Sequence, residues 1–227
     1  MDNLDKEMLQ NINGLEKNNL TTLIGETDDE SLKLLTTDSH YVKPPDLPAY
    51  VHNLKHDFSV YSLNVCSIGA EGKFEQIRCL LADFQSKGIY FSAICIQETW
   101  LRGDIPDTSY FSLPGYNSIA LGATCGQHGG LLMYIQDQFN FTPRDLYKPS
   151  NIWEGQFVDV SGGNLQKPIT VCNIYKPPRN NNNNANITAF LDSYKPIIQT
   201  IARGNSDAII AGDTNIILLK STPNQPL

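Results

Sequence analysis

Residues 89–100 read Ile-Tyr-Phe-Ser-Ala-Ile-Cys-Ile-Gln-Glu-Thr-Trp, and this stretch decides the fold class. Ile89–Ile96 is nearly all apolar, the pattern of a strand covered on both faces. It delivers Gln97-Glu98-Thr99-Trp100 at its end. Upstream, Phe58-Ser-Val-Tyr-Ser-Leu63 alternates and predicts a strand ending at Asn64. Between the two, Phe74, Ile77, Leu80, Leu81 and Phe84 recur at spacings of three and four, which predicts a helix over about residues 69–87 with Gly88 as its C′ residue.

Downstream, Tyr116–Ala120 and Gly130–Ile135 read as strands. Phe157–Val160 and Ile169–Tyr175 read as two more, joined through Gly162-Gly163-Asn164, a favourable hairpin turn. The Asn180–Asn184 run is a low-complexity surface loop. Ala185–Arg203 has helical periodicity in Ile187, Phe190, Leu191, Tyr194, Ile197, Ile198 and Ile201, with Pro196 predicted to bend or split it. Asp207–Gly212 reads as a short buried strand presenting Asp213-Thr214-Asn215. The hairpins argue against a simple βαβ repeat. The predicted architecture is α/β: two packed, largely antiparallel β-sheets flanked by helices, a four-layer αββα sandwich.

The 227 residues suffice for one large domain plus a tail. Residues 1–56 read as an acidic, disordered leader and linker, closed by the proline-rich Lys43–Pro48, with a short helix possible near Glu30–Leu35. Residues 57–227 form the folded domain. Of the net charge of −7, residues 1–50 carry −6 and the remainder −1, so the domain is near neutral. A tight non-specific nucleic-acid binder shows a basic excess, which is missing here. The start lacks the n-region and h-region of a secretory signal, and no stretch approaches the ~18 apolar residues of a membrane span. The five cysteines form no CxxC pair and read as buried, reduced thiols of a cytoplasmic or nuclear protein, not a secreted one.

Three polar clusters stand at strand ends: Asn64, Gln97-Glu98 and Asp213-Thr214-Asn215. A strand end holds a side chain rigidly while exposing its tip. Hydrolysis of a phosphodiester needs a hard cation to offset charge on the phosphoryl oxygens, a group to orient or deprotonate water, and donors for the phosphate. Carboxylate and amide oxygens suit hard cations. Each of these residues alone is equally well a turn former or cap.

Their combination is more specific. Ser62-Leu63-Asn64-Val65, Gln97-Glu98-Thr99-Trp100-Leu101, Gly129–Ile135 (GGLLMYI), Asn173–Arg179 (NIYKPPR) and Ala211-Gly212-Asp213-Thr214-Asn215 resemble, in order and spacing, the endonuclease of LINE-type (non-LTR) retrotransposons in the endonuclease/exonuclease/phosphatase superfamily. The resemblance covers roughly residues 57–220. It implies Glu98 as ligand of a divalent metal, Mg²⁺ or Mn²⁺, and Asn64 as support for metal and phosphate. It implies Tyr175 as a phosphate contact through its hydroxyl, Asp213 as the group that activates water, and Asn215 as the residue steadying that aspartate. Arg179 is a substrate-binding candidate, and equally a solvated loop residue. DNA is the implied substrate. A reverse-transcriptase module is expected in a full-length relative but absent from these residues.

There are departures. Cellular apurinic-site enzymes carry an aspartate two residues after the first asparagine, where this chain has Cys66; LINE relatives usually lack it too. Thr214 replaces the aromatic more common within Gly-Asp-x-Asn. The family ends with an aspartate and then an aspartate–histidine pair, and no histidine here follows Asp213: His40, His52, His56 and His128 all precede it. His128 reads as a solvent-facing loop residue. The expectation is a domain incomplete at its C-terminus, crippled in catalysis, with an open sheet edge. A catalytically inactive retroelement-derived interaction module, and a superfamily phosphatase or phosphodiesterase on a small substrate, remain alternatives.

Overall fold

A computed structural model of the chain describes residues 58–103, 106–125, 128–148, 150–178, 183–204 and 206–215. The leader, the expected helix near Glu30 and Arg179 lie outside the described residues.

The elements run β1 (Val60–Asn64), α1 (Lys73–Ser86), β2 (Ala93–Gln97), a 3₁₀ turn (Ser109–Phe111), β3 (Tyr116–Leu121), β4 (Leu131–Gln136), β5 (Asn140–Pro143), β6 (Glu154–Ser161), β7 (Ile169–Tyr175), α2 (Asn183–Ala202) and β8 (Asp207–Asp213). They make two four-stranded sheets, ordered β1-β2-β4-β3 and β5-β6-β7-β8. Each sheet is mixed: β1–β2 and β7–β8 are parallel, and the other pairings are antiparallel.

Side-chain alternation assigns the layers. On β2, Ile94 and Ile96 join Ile77 and Leu81 of α1 in one core, while Ala93 and Cys95 turn the other way to meet Val158, Val160 and Val171 of the second sheet. The far face of that sheet, with Trp153, Phe157, Cys172 and Ile174, is covered by Phe190 and Ile201 of α2. The order helix, sheet, sheet, helix is the predicted αββα sandwich, and β2 is buried on both faces because it lies inside it.

Between the sheets the packing changes character along the strands. Past Ala93 and Cys95 the next inward residue of β2 is Gln97, and past Val171 the next of β7 is Asn173. Both are buried, and they bond across the gap: Gln97 Nε2 donates to Asn173 Oδ1 at 2.7 Å. Asn173 Nδ2 donates in turn to the carbonyls of Ile96 and Leu132 at 3.2 and 3.3 Å. This network links the sheets where the apolar core ends. One step further along, the strand ends emerge.

Several expectations are corrected. The first helix begins at Lys73 because Gly69–Gly72 turns first, Gly72 with φ +69°. β2 begins at Ala93, later than the apolar run. β5 gave no alternating signal in its four residues, Asn140–Pro143. Pro196 does not split α2, which continues from Asn183 to Ala202. The proline sits on the exposed face, where the carbonyl that loses its partner meets water, and Phe190, Tyr194, Ile197 and Ile201 hold the helix to the sheet. β8 is not buried: as the outer strand of its sheet it leaves Ala208 and Ile210 exposed. Of the cysteines, Cys95 and Cys172 are buried, Cys125 is half-buried, and Cys66 and Cys79 are exposed; none is in a disulfide. Among the described residues, no helix is long and apolar enough to cross a membrane.

Replacing Asn173 with Ala removes the donors to two carbonyls and the acceptor of Gln97. Leaving a buried polar group unpaired costs about 1–3 kcal/mol. Urea unfolding of the variant is expected to show a lowered midpoint at unchanged m-value, corresponding to a stability loss of about that size; an unshifted midpoint contradicts the inter-sheet link.

Candidate active site

The C-terminal ends of β1, β2, β7 and β8 come together. Asn64 pairs with Gln97 at the end of the first sheet, and Tyr175 pairs with Asp213 at the end of the second. The loops leaving these strands are joined by backbone bonds: Val65 N–H to Gln97 O at 3.0 Å, Ser67 N–H to Glu98 O at 2.7 Å, Trp100 N–H to Gly129 O at 2.8 Å, and Lys176 N–H to Asp213 O at 2.9 Å.

Asn64 stands in the middle. Its amide Nδ2 donates to Glu98 Oε1 at 2.8 Å and to Asp213 Oδ2 at 2.8 Å. One side chain therefore holds two carboxylates delivered by different sheets. Asn64 Oδ1 accepts from Cys66 N–H at 3.3 Å, and the Cys66 thiol also lies 3.7 Å from Glu98 Oε2. Partial burial and the Glu98 charge push that thiol up. Asn215 steadies Asp213 through its backbone, whose N–H donates to Oδ1 at 3.0 Å, while its amide is spent on Lys176 O at 2.9 Å. Tyr175 is 1% exposed, and its phenol lies near the Glu98 carboxylate. Burial first, then the charges of Glu98, Asp213 and Glu154, push that phenol far above its ordinary range, so it remains a proton donor.

The backbone carries strain here. The non-glycine residues with left-handed φ among those described are Cys66, Ser67, Glu98, Trp100 and Asn215. All lie in these loops. Such conformations cost of order 1–3 kcal/mol each and persist only where surrounding structure imposes them. Here the bonds between loops impose them, turning the Glu98 and Asp213 carboxylates toward Asn64. Gly212 serves the same end: with φ +144° it lies against β7 so closely that a Cβ would fall 2.0 Å from Ile174 O.

Of the residues singled out from sequence, Asn64, Glu98, Tyr175 and Asp213 are brought together, and Asn215 lies beside them. His128 is exposed, as expected of a loop residue, but is not isolated: its ring meets that of Trp100 edge-to-face at 4.7 Å.

Glu154 escaped the sequence reading. It is fully buried at the start of β6, opposite Tyr175. Its Oε1 accepts from Thr124 N–H at 2.6 Å and Cys125 N–H at 2.9 Å, and its Oε2 from Gly130 N–H at 2.5 Å. It anchors the loop leading into β4. Gly129 and Gly130, both with positive φ, are required beside it, because a Cβ on Gly129 would meet the Glu154 carboxylate at 2.5 Å. A glutamate flanked by Trp153 and Gly155 gave no sign of burial; the glycine pair was the available hint of a close approach.

Among the described residues, no group of three or more His, Cys, Asp or Glu side chains is arranged to hold a metal. The available donors are the Glu98 and Asp213 carboxylates and the Asn64 amide oxygen. A hard cation such as Mg²⁺ commonly binds through one or two carboxylates and keeps several waters, so this set fits it.

No family model matches the sequence. Solved structures do match. An AP endonuclease from Archaeoglobus fulgidus aligns with TM-score 0.50 at 17% identity, over 70% of this chain and 58% of that one. The fold is that of the AP endonucleases. Truncated Caenorhabditis elegans TDP2 aligns with TM-score 0.50 at 14% identity, over 74% of this chain and 66% of its own. The chain thus spans less than two thirds of the length of either neighbour. Within the AP-endonuclease fold, it is the ends of β1, β2, β7 and β8 that bear the polar cluster.

Glu154→Gln replaces an acceptor pair with one acceptor and one donor. Whichever way the amide turns, an N–H of the 124–130 loop then faces another N–H. A loss of about 1–3 kcal/mol is expected in urea unfolding, with faster amide exchange at Thr124, Cys125 and Gly130. Wild-type stability and exchange contradict the anchoring role.

Proposed function

We propose that the chain is a metal-dependent phosphodiesterase acting on DNA, the endonuclease module of a LINE-type retrotransposon. The observation that carries this reading is the pair of bonds from Asn64 to Glu98 and Asp213, which sets two carboxylates side by side at the meeting point of two sheets. The AP-endonuclease fold and the five sequence strings that resemble LINE-type endonucleases support it.

Two neighbouring carboxylates repel a phosphate, so this reading requires a cation at the site. Glu98, with the Asn64 oxygen, would hold Mg²⁺ or Mn²⁺, which when bound supplies positive charge against the phosphoryl oxygens. The chain's own residues do the rest. Asp213, fixed by Asn64 and by the Asn215 N–H, orients a water and accepts its proton as the water oxygen attacks phosphorus and the P–O3′ bond breaks, its electron pair leaving on the 3′ oxygen, which takes a proton from solvent. Tyr175, whose phenol burial and the neighbouring carboxylates keep protonated, supplies an O–H donor beside Glu98. The nick releases a strand end from which a reverse transcriptase, supplied by another module, can prime.

The chain's four histidines all precede Asp213, and none occupies the position of the phosphate-binding imidazole that the resemblance implies.

Nicking of supercoiled plasmid tests the reading, at high protein concentration and long incubation. Nicking is expected with Mg²⁺ or Mn²⁺, none with EDTA, and a loss of roughly 10²–10⁴-fold for Glu98→Gln or Asp213→Asn. Nicking that survives both substitutions, or none with either metal, contradicts it.

A further inference from the structure

Trp100 is 36% exposed, whereas the chain's other tryptophan, Trp153, is buried in the core at 2%. A single exposed apolar side chain is ordinary. Trp100 is unusual in how it is held. Its backbone has φ +60°, its N–H is bonded to Gly129 O at 2.8 Å, and its indole meets the exposed His128 ring edge-to-face at 4.7 Å. The two rings come from separate segments, the turn after β2 and the loop before β4. That loop is pinned from beneath by Glu154 through Gly130, Thr124 and Cys125. The result is a preorganised pair of flat rings at the surface, with little ordering left to do on contact with a ligand.

Its position gives it a use. Trp100 lies two residues beyond Glu98, at most ~7 Å along the chain, about two nucleotide rises of ~3.4 Å along one strand. A phosphate placed at Glu98 and Asp213 would have a neighbouring base within reach of the rings. Charge decides the kind of grip. Residues 51–227 carry a net charge of only −1, and the site itself is acidic. Attraction of phosphates to lysine and arginine, the usual source of nucleic-acid affinity, is weak here. Stacking of bases on aromatic faces needs no positive charge and tolerates any sequence.

We propose that Trp100 and His128 form a stacking seat for a nucleobase of single-stranded or locally opened DNA, beside the phosphate that undergoes hydrolysis. This rests on the phosphodiesterase reading above. The rings take one base, flat against the indole, with the imidazole closing one side.

The test is binding by the full chain with Ca²⁺ in place of Mg²⁺, to hold hydrolysis back while a hard cation offsets the carboxylates, read by the fluorescence anisotropy of a label on the strand, with tryptophan emission of the wild type as a second readout. Trp153 is buried, so a change reports Trp100. The probes are a short oligodeoxythymidylate and an all-abasic sugar-phosphate strand of the same length. Wild type is expected to prefer the strand with bases, with quenching of emission and a shallow salt dependence. Trp100→Ala is expected to weaken its binding by roughly fivefold to a hundredfold, to leave the abasic strand unaffected, and so to erase the preference. Trp100→Phe, which keeps a flat ring, is expected to retain most of it, which separates stacking from general damage to the fold. His128→Ala is expected to cause a smaller loss of the same kind. Equal preference for bases in wild type and Trp100→Ala overturns the proposal, as does loss of both probes alike with Trp100→Phe. If plasmid nicking fails while the preference for bases depends on Trp100, the phosphodiesterase reading falls and the stacking seat stands; the reverse pattern removes the seat alone.

Discussion

The two hydrogen bonds donated by the Asn64 amide are the constraint on which the site depends. Glu98 and Asp213 are separated by more than a hundred residues and belong to different sheets. Side by side they would repel. A neutral amide with two N–H donors holds both without cancelling the negative charge. The charge is thereby kept for something else to neutralise.

That arrangement is only as firm as the meeting of the sheets, and the interior shows how it is fixed. The inter-sheet layer runs from Ala93, Cys95 and Val171 to the bonded pair Gln97 and Asn173, then to Glu98 and Tyr175. Apolar packing alone tolerates sliding. A buried amide pair that must satisfy two further backbone carbonyls does not, because a slip leaves several polar groups unpaired in a low-dielectric interior. The left-handed residues at the strand ends are strain that this foundation sustains.

Much of this was legible from residue patterns. Ile169–Tyr175 was bounded correctly because its apolar run is framed by a glycine turn and by Pro177-Pro178. The covering of β2 on both faces followed from its unbroken apolar run. The Gly-Asp-x-Asn string pointed to the end of β8, and the structure explains its glycine: only a residue without Cβ fits against Ile174. Exposure of β8 was not legible, since Ala-Ile-Ile-Ala reads the same at an edge as inside a sheet. Nor was the continuity of α2, because Pro196 is harmless only on the solvent face, which tertiary packing decides. Glu154 and Asn173 were hidden for the same physical reason: a buried polar residue is indistinguishable from a surface one until its partners, distant in sequence, are placed around it.

The central claim is that Asn64, Glu98 and Asp213 form one cation-holding cluster at the meeting of the two sheets. Anomalous diffraction from crystals of the 227-residue chain grown with Mn²⁺ tests it most directly. The account predicts a manganese peak at the Glu98 carboxylate, within the cluster formed with Asn64 and Asp213. A peak elsewhere, or Glu98 and Asp213 facing different surroundings, contradicts it.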